Sequence, residues 1–380
     1  MRKILLYLLF LIVVLPCAAQ RKEIATAADQ VKSGKKLEDA EKSMRTLLKD
    51  SANRDNAKIW KVLFDAMQKQ YEQGNEKLYL KQKYDTTLLF NTAYRMFTDM
   101  ETYDSIDARP DKKGRVKTKM RKQNGALLNQ LRPNLYFGGL FFIGKQQYSH
   151  AYDMLNVYIN ASTHPMFEPY HYAQKDARLP QAAYWAAYCG YKLKDARKIL
   201  NHTYNALKDT THHESMLQLL ATAYQLESDT TRYLQTLDEG FKAYPLSDFF
   251  YPHIVDYYSS QGDWDKALAY TDSALIADST NVTVLLAKST LLLNTADYDG
   301  CFAISSRLTK SQPELATAWL NAGLAKFNQG VSLDKNLQSS AKYRSLQPNA
   351  KDKWGLPLYT IYLNLNKGKE FDEIDKLIGK

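Results

Sequence analysis

A repeat of constant length restricts the fold of this chain more than any other feature of its sequence. In the segments that begin at positions 214, 248, 282 and 316, the fourth residue is large and apolar, and the eighth is small in three of the four. These two positions hold Leu217, Tyr251, Leu285 and Trp319, and then Ala221, Val255, Ser289 and Gly323. The starts are 34 residues apart. A unit of 34 residues accommodates two amphipathic helices, and one hairpin cannot bury its apolar face alone. The repeat therefore predicts helix hairpins that stack on their neighbours.

The composition also favours helices. Of the 380 residues, 45% are hydrophobic and 24% are charged, so the chain has enough apolar surface to fold. The chain has only 16 Gly and 11 Pro, fewer turn residues than a β-sandwich or a loop-rich scaffold would need.

The repeat that begins at residue 248 shows the two-helix pattern most clearly. Gly262 and Trp264 lie at its turn, and Ala267 and Ala274 are small residues on its second helix. These residues resemble those of the tetratricopeptide repeat (TPR) family, as do others in neighbouring units. The positions that we expect to pack helices closely are Gly139, Ala151, Gly262, Trp264, Ala267, Ala274, Trp319 and Gly323.

The resemblance implies an all-α fold, a right-handed solenoid of antiparallel helix hairpins. We expect the repeat array to occupy residues 132–349, with a hairpin in poor register at 179–207. The other units of the array are 132–165, 214–247, 248–281, 282–315 and 316–349. A helical region of divergent repeats at 20–107 and a basic linker at 108–131 precede the array, and a capping hairpin at 350–380 follows it.

Residues 1–19 have the anatomy of a signal peptide. Arg2 and Lys3 precede an apolar run at 4–15, and small residues end at Ala19. We therefore expect an exported protein, periplasmic or envelope-associated, that is cleaved near Ala19. An uncleaved anchor is one alternative. Lipid attachment at Cys17 is another and is disfavoured, because Pro16 stands where lipoprotein signals prefer a small residue.

No motif of catalysis or of cofactor binding is recognisable. The seven histidines form no HExxH pattern, and Ser-based nucleophile elbows are absent from the sequence. Cys189 and Cys301 lie in apolar helical patterns, so we expect buried, unpaired thiols, with a disulfide as the alternative. We expect no cofactor, no metal site and no enzymatic activity; an enzyme with an unrecognised site is the remaining alternative.

A cluster of positive charge lies between residues 109 and 122, where eight Lys or Arg residues face a single acid, Asp111. The cluster is a candidate contact for an anionic membrane surface or an acidic partner, through Lys112, Lys113, Arg115 and Lys117. A solvated linker is the alternative. Nucleic acid is not expected as a partner, because no aromatic residue interleaves the basic ones.

In TPR proteins ligands usually lie against the concave face, which the first helix of each repeat lines. By this resemblance, positions five, nine and twelve of the repeats form a candidate peptide groove of neutral character, in which Asp256 is the one charge. The candidate residues are Tyr136, Leu140, Gln218, Thr222, Gln225, Asp256, Leu286, Thr290, Leu320 and Leu324.

Seven triplets consist of Asp, then Ser or Thr, then a small or aliphatic residue or Thr. They begin at Asp50, Asp85, Asp104, Asp209, Asp229, Asp272 and Asp278. The triplet resembles an O-glycosylation sequon of some Gram-negative bacteria, and Thr210 and Thr230 are the best candidates. Helix capping is the alternative, because Asp, Ser and Thr are favoured at helix starts.

Together these patterns favour a non-enzymatic exported scaffold that binds another protein of the bacterial cell envelope. A permanent structural subunit of an envelope assembly is the alternative from a different class.

The first prediction concerns the mature N-terminus. Intact-mass measurement of the protein from its native host should give a chain that begins at Gln20, because the small residues before it form the cleavage site. An N-terminus at Met1 would contradict cleavage, and a diacylglycerol on Cys17 would identify a lipoprotein.

Overall fold

The computed structural model describes residues 19–328, which are helical apart from turns and connecting segments and contain no strand. The predicted signal peptide, Cys17, the rest of the last repeat and the capping hairpin at 350–380 lie outside the described residues. The described chain divides into two compact units, one ending at Glu227 and one starting at Ser228. No helix of residues 19–328 combines the length and apolar content needed to span a membrane.

The unit that ends at Glu227 contains twelve helices within its described residues. They are α1 (19–33), α2 (Leu37–Leu48), α3 (Ala57–Tyr79), α4 (Thr86–Asp107), α5 (Arg121–Leu131), α6 (Pro133–Gly144), α7 (Tyr148–Asn160), α8 (Tyr172–Lys175), α9 (Leu179–Lys192), α10 (Ala196–Leu200), α11 (Thr203–Ala206) and α12 (His213–Leu226). Short 3₁₀ helices lie at Ser51–Asn53 and Pro165–Tyr170.

The unit that starts at Ser228 contains α13 (Thr230–Ala243), α14 (Phe250–Ser260), α15 (Trp264–Ala277), α16 (Val282–Asn294), α17 (Tyr298–Ser311) and α18 (Ala316–Asn328) among its described residues. Helices that follow each other in the chain pack together, as α6 and α7 do in the first unit and α16 and α17 in the second. The predicted fold class, an all-α solenoid of helix hairpins, is confirmed.

One turn recurs at the interval of the sequence repeat. Lys194, Ser228, Gly262 and Ala296 have left-handed backbone, with φ of 54°, 58°, 72° and 62°. Each is followed by an Asp whose carboxylate accepts the backbone N–H of the residue three further on, at 2.9–3.3 Å. These are Asp195, Asp229, Asp263 and Asp297, and the helices that follow them begin at 196, 230, 264 and 298. The cap satisfies a backbone donor that has no partner inside the helix.

The turn at Lys194 corrects the prediction that the hairpin at 179–207 is in poor register. The turn precedes the one at Ser228 by the same interval that separates the later turns, and Ala187 is buried at the position equivalent to Ala221. The sequence pattern is obscured because the second helix is interrupted between α10 and α11. There Asn201 and His202 turn their side chains to Asn156 on α7, at 3.1 and 2.8 Å.

Small residues pack at the helix crossings. A Cβ on Gly139 of α6 would lie 2.5 Å from Cγ of Leu155 on α7. Ala151, Ala267 and Ala274 are fully buried, and Gly323 is buried as well. The large residues of the set are half-buried; these are Trp264 and Trp319, and the indole N–H of Trp319 donates to the carbonyl of Pro313 at 3.0 Å.

Gly262 has a different role from the predicted one. No atom lies within 4 Å of the position of a Cβ on this residue, so it packs no helices together. It supplies instead the left-handed backbone of the turn, which glycine adopts without steric cost.

The predicted linker at 108–131 is shorter than expected, because α5 begins at Arg121. The start of α5 is tied to α4 by the guanidinium of Arg121, which donates to both carboxylate oxygens of Asp104. Only residues 108–120 connect α4 to α5, and we name this segment the basic loop.

A buried cation fastens the insertion between α7 and α9. The guanidinium of Arg132 lies 3.7 Å from the ring centroid of Tyr158 and 3.8 Å from that of Tyr172. It also donates to the carboxylate of Asp176 at 2.6 Å and to the carbonyl of Tyr158. The two ring contacts and the ion pair offset the cost of burying the charge, although Nε of Arg132 has no hydrogen-bond partner among the described residues.

A pair of exchanges at equivalent turn positions tests the recurring turn. Ala296→Gly should stabilise the protein by about 0.5–1 kcal/mol, because an L-residue in left-handed backbone is strained and glycine is not. Gly262→Ala should destabilise it by a similar amount, because the side chain has space but the backbone becomes strained. Urea unfolding of both variants measures the difference. A shift of the same sign in both would contradict the shared turn.

Candidate partner-binding surfaces

The candidate groove residues of the first unit differ widely in exposure. Gln225 is exposed, and Leu140, Gln218 and Thr222 are half-buried. Tyr136 is 5% exposed, and its hydroxyl donates to Oε1 of Gln181 on α9. The placement of Tyr136 in the groove was therefore wrong: the next first helix packs over it.

In the second unit, Asp256 on α14 and Thr290 on α16 are exposed, as a groove requires. Thr290 accepts a hydrogen bond from the amide of Asn321 on α18 at 3.0 Å, which joins two neighbouring first helices. Leu286 packs against the cluster of Leu285, Leu308 and Ala318, so much of its side chain contributes to the core and is not available to a ligand. The remaining two candidates, Leu320 and Leu324, are half-buried.

A row of tyrosines on α9 was missed by the sequence analysis. Once the register is extended to this hairpin, positions five, nine and twelve are Tyr184, Tyr188 and Tyr191. Tyr184 stacks on His212 with ring centroids 4.1 Å apart, Tyr188 is half-buried, and Tyr191 is 41% exposed. The signal was present in the sequence but could not be placed without the turn at Lys194.

A cleft of about 600 Å³ lies beside α9, between the start of α4 and the turn from α6 to α7. Its polar lining consists of amide, hydroxyl and imidazole side chains, and no carboxylate, lysine or arginine contributes. The lining residues are Thr87, Asn91, Phe142, Gln146, Gln147, Tyr148, Ser149, His150 and Leu193. Neutral donors and acceptors of this kind suit an uncharged polar surface.

The basic loop is braced by carboxylates on both sides. The backbone N–H groups of Lys119 and Met120 donate to Asp107. Arg115 pairs with Asp111 at 2.8 Å, and Arg109 pairs with Asp55 at 3.2 Å. Of the four predicted anionic contacts, Arg115 is therefore occupied by an acid of its own loop.

Cys189 and Cys301, the two cysteines of the described residues, are free and buried, as predicted. Burial raises the pKa of the Cys189 thiol to about 12 and raises the pKa of Cys301 as well. Neither thiol is therefore an activated nucleophile at neutral pH. Within residues 19–328, no group of three or more His, Cys, Asp or Glu side chains could hold a metal ion.

Five of the seven Asp triplets have the geometry of a cap or turn. The Asp side chains at 50, 85, 209, 229 and 278 each accept a backbone N–H from a residue two or three positions further on. The other two, Asp104 and Asp272, form ion pairs with Arg121 and Lys288. Thr210 and Thr230 are exposed. Glycosylation at these two residues stays a prediction, and capping accounts for the Asp beside each.

Glu101 on α4 titrates close to neutral pH. Its Oε1 is buried and has no hydrogen-bond partner among the described residues. Burial, with the nearby Asp104 as a second cause, raises the pKa of Glu101 to about 7. The folded state therefore holds the carboxyl partly protonated where an unfolded chain would ionise it.

The fold and its surfaces define a class of protein. Hairpins of two helices recur with a regularly spaced turn, small residues occupy the crossings, and the first helices carry mainly neutral side chains. The chain has a TPR-like fold, an all-α solenoid of helix hairpins.

No protein-family profile and no curated protein matches the sequence. Among solved structures, the chain is similar to the type IV pilus biogenesis factor PilW, with 18% identity over 53% of this chain and 92% of PilW and a TM-score of 0.39. It is similar to a tetratricopeptide repeat protein from Parabacteroides merdae, with 15% identity over 66% of this chain and 99% of that one and a TM-score of 0.38. Yeast Tom70 has 13% identity over 95% of this chain and 85% of its own, with a TM-score of 0.38.

Substituting Glu101 tests its titration. Because the pKa of Glu101 is 4.5 in the unfolded chain and about 7 in the folded protein, the protein loses stability as the pH rises from 4.5 to about 7. Glu101→Gln should therefore be more stable than the parent at pH 8 by roughly 1–3 kcal/mol, with little difference at pH 4.5. Urea unfolding at both pH values measures this, and the exposed Glu76→Gln is the control. A difference that does not change with pH would contradict the raised pKa.

Proposed function

We propose that this chain is a non-enzymatic exported scaffold that binds another protein in the bacterial cell envelope. The observation that carries the proposal is the set of solvent-accessible side chains on consecutive first helices of the repeats, which we name the first-helix face. On α9 and α12 of the first unit these are Tyr188, Tyr191, Thr222 and Gln225. Tyrosines with two rotatable side-chain bonds provide large contact area at low entropic cost, and they are enriched at interface cores.

The chemistry of this face indicates the kind of partner. In the first unit the exposed positions are aromatic or uncharged polar, and the cleft beside α9 is uncharged as well. In the second unit Asp256 is the single charge among the candidate positions. A partly apolar protein segment without positive charge fits this surface, because the tyrosines offer apolar area and the ammonium of Lys192, 5.4 Å and 5.7 Å from the ring centroids of Tyr188 and Tyr191, would repel a cation.

The envelope location rests on the sequence of residues 1–19, whose charged start, short apolar run and small residues favour export. In that compartment the protein would meet envelope proteins as partners. The basic loop adds a second contact, for an anionic partner, outside the first-helix face.

A permanent structural subunit is the second candidate. Single large apolar side chains stand far into solvent in the second unit, with Ile276 87% exposed and Leu246 52% exposed. This alternative requires such residues to join in one apolar patch that a fixed partner covers, because single exposed apolar side chains are normal on a monomer. In this case the purified chain should self-associate, and its partner should remain bound through salt washes.

Two tyrosines of one hairpin allow a matched test of the first-helix face. The mature chain with a C-terminal tag is used to capture proteins from a native envelope extract, and the main partner is then titrated in purified form. Tyr191→Asp, on the first helix, should weaken the affinity at least tenfold, because the substitution removes the aromatic contact area and puts a hydrated carboxylate in its place. Tyr204→Asp lies on the second helix and is 78% exposed, so the affinity should stay within twofold.

The opposite ranking of the two variants would assign binding to the second helices. If Tyr191→Asp captures every protein that the parent chain captures from the extract, the proposed face is contradicted.

A further inference from the structure

The basic loop has an ordered turn at its tip. The backbone N–H of Asp111 donates to the carbonyl of Arg115 at 2.9 Å, and the N–H of Gly114 donates to the carbonyl of Asp111 at 2.8 Å. The carboxylate of Asp111 accepts the N–H groups of Lys113 and Arg115. Gly114 has φ of 73°, which closes the turn. The loop therefore presents the side chains of its tip in a fixed arrangement.

Three lysines at this tip are exposed to solvent. Lys112, Lys113 and Lys117 are exposed, and none has an acidic partner within 4.0 Å among the residues that the structure describes. The arginines of the loop differ, because Arg109 and Arg115 are each paired with an Asp. The two kinds of cation thus have separate tasks: the arginines hold the loop in place and the lysines are available to an external anion.

An apolar side chain stands among these lysines. Val116 is 57% exposed, between the paired Arg115 and the unpaired Lys117. A soluble polyanion would need only the ammonium groups, whereas a bilayer offers phosphates and an apolar layer within a few ångströms of each other. Lysine is also suited to this contact because its flexible stem lets the charge remain at the headgroups while its carbon chain enters the interface.

We propose that the tip of the basic loop docks on the surface of an anionic lipid bilayer, with Lys112, Lys113 and Lys117 at the headgroup phosphates and Val116 in the interface. The contact is peripheral and reversible. It uses a surface separate from the first-helix face, so it does not depend on the proposed protein-binding function. It allows the scaffold to hold its protein partner beside a membrane.

The experiment is co-sedimentation of the mature full-length chain with vesicles. Vesicles of phosphatidylethanolamine with about one third phosphatidylglycerol are compared with vesicles of phosphatidylcholine, at 50 mM and at 500 mM salt. Binding should be strong only to anionic vesicles at low salt. Exchanging all three lysines for Gln should lower the partition coefficient on the order of a hundredfold, at about fivefold for each charge.

Two further variants separate lipid docking from a general effect of charge. Lys32, Lys35 and Lys42 are exposed lysines elsewhere in the same unit, so exchanging them for Gln removes the same charge away from the loop and should change binding at most twofold. Val116→Ser keeps the charge and should lower binding about threefold. Circular dichroism checks that each variant retains its helices.

Three results would overturn the proposal. The first is no binding of the parent chain to anionic vesicles at low salt. The second is an equal loss in both triple-lysine variants, which would reduce the effect to net charge. The third is unchanged binding of Val116→Ser, which would show that the lysines bind the vesicles by charge alone and would remove the interfacial contact that distinguishes a bilayer from other anions.

Discussion

The turn between the two helices of a hairpin is the constraint on which the rest of the structure depends. A residue in left-handed backbone reverses the chain, and the Asp that follows caps the next helix, so α10, α13, α15 and α17 begin at the same repeat position. This fixed start brings the same repeat position to each crossing, where the small residues Ala267 and Cys301 occupy equivalent buried positions in neighbouring repeats.

Much of the fold could be predicted from periodicity, because stacked units repeat the same local physics. What escaped prediction depended on contacts between units or on turns that glycine does not mark. Lys194 adopts left-handed backbone without any compositional sign, and the interruption after α10 hid the register further. The burial of Tyr136 depends on Gln181, which lies 45 residues away. The charge of the basic loop was visible in the sequence. Which of its cations pair with an acid could not be predicted, because Arg109 pairs with Asp55, which is distant in the chain.

The first unit thus carries two surfaces of opposite character. The face of α9 and α12 is aromatic and mainly uncharged, with Lys192 beside its tyrosines, which favours contact with a desolvated protein segment and a weaker dependence on salt. The basic loop is charged and exposed, which favours fast, salt-sensitive attachment. Because the two surfaces respond to different conditions, ionic strength could release one attachment without affecting the other.

The sandwich of Arg132 between two tyrosines has a consequence for the way the first unit opens. Opening the insertion at 161–178 would remove Tyr172 and Asp176 from the guanidinium of Arg132. Because that step separates an ion pair and a stacked cation, we expect the insertion to open together with α6 and α7. Its slowest amide hydrogens should exchange together with those of the surrounding helices, as one cooperative folding unit.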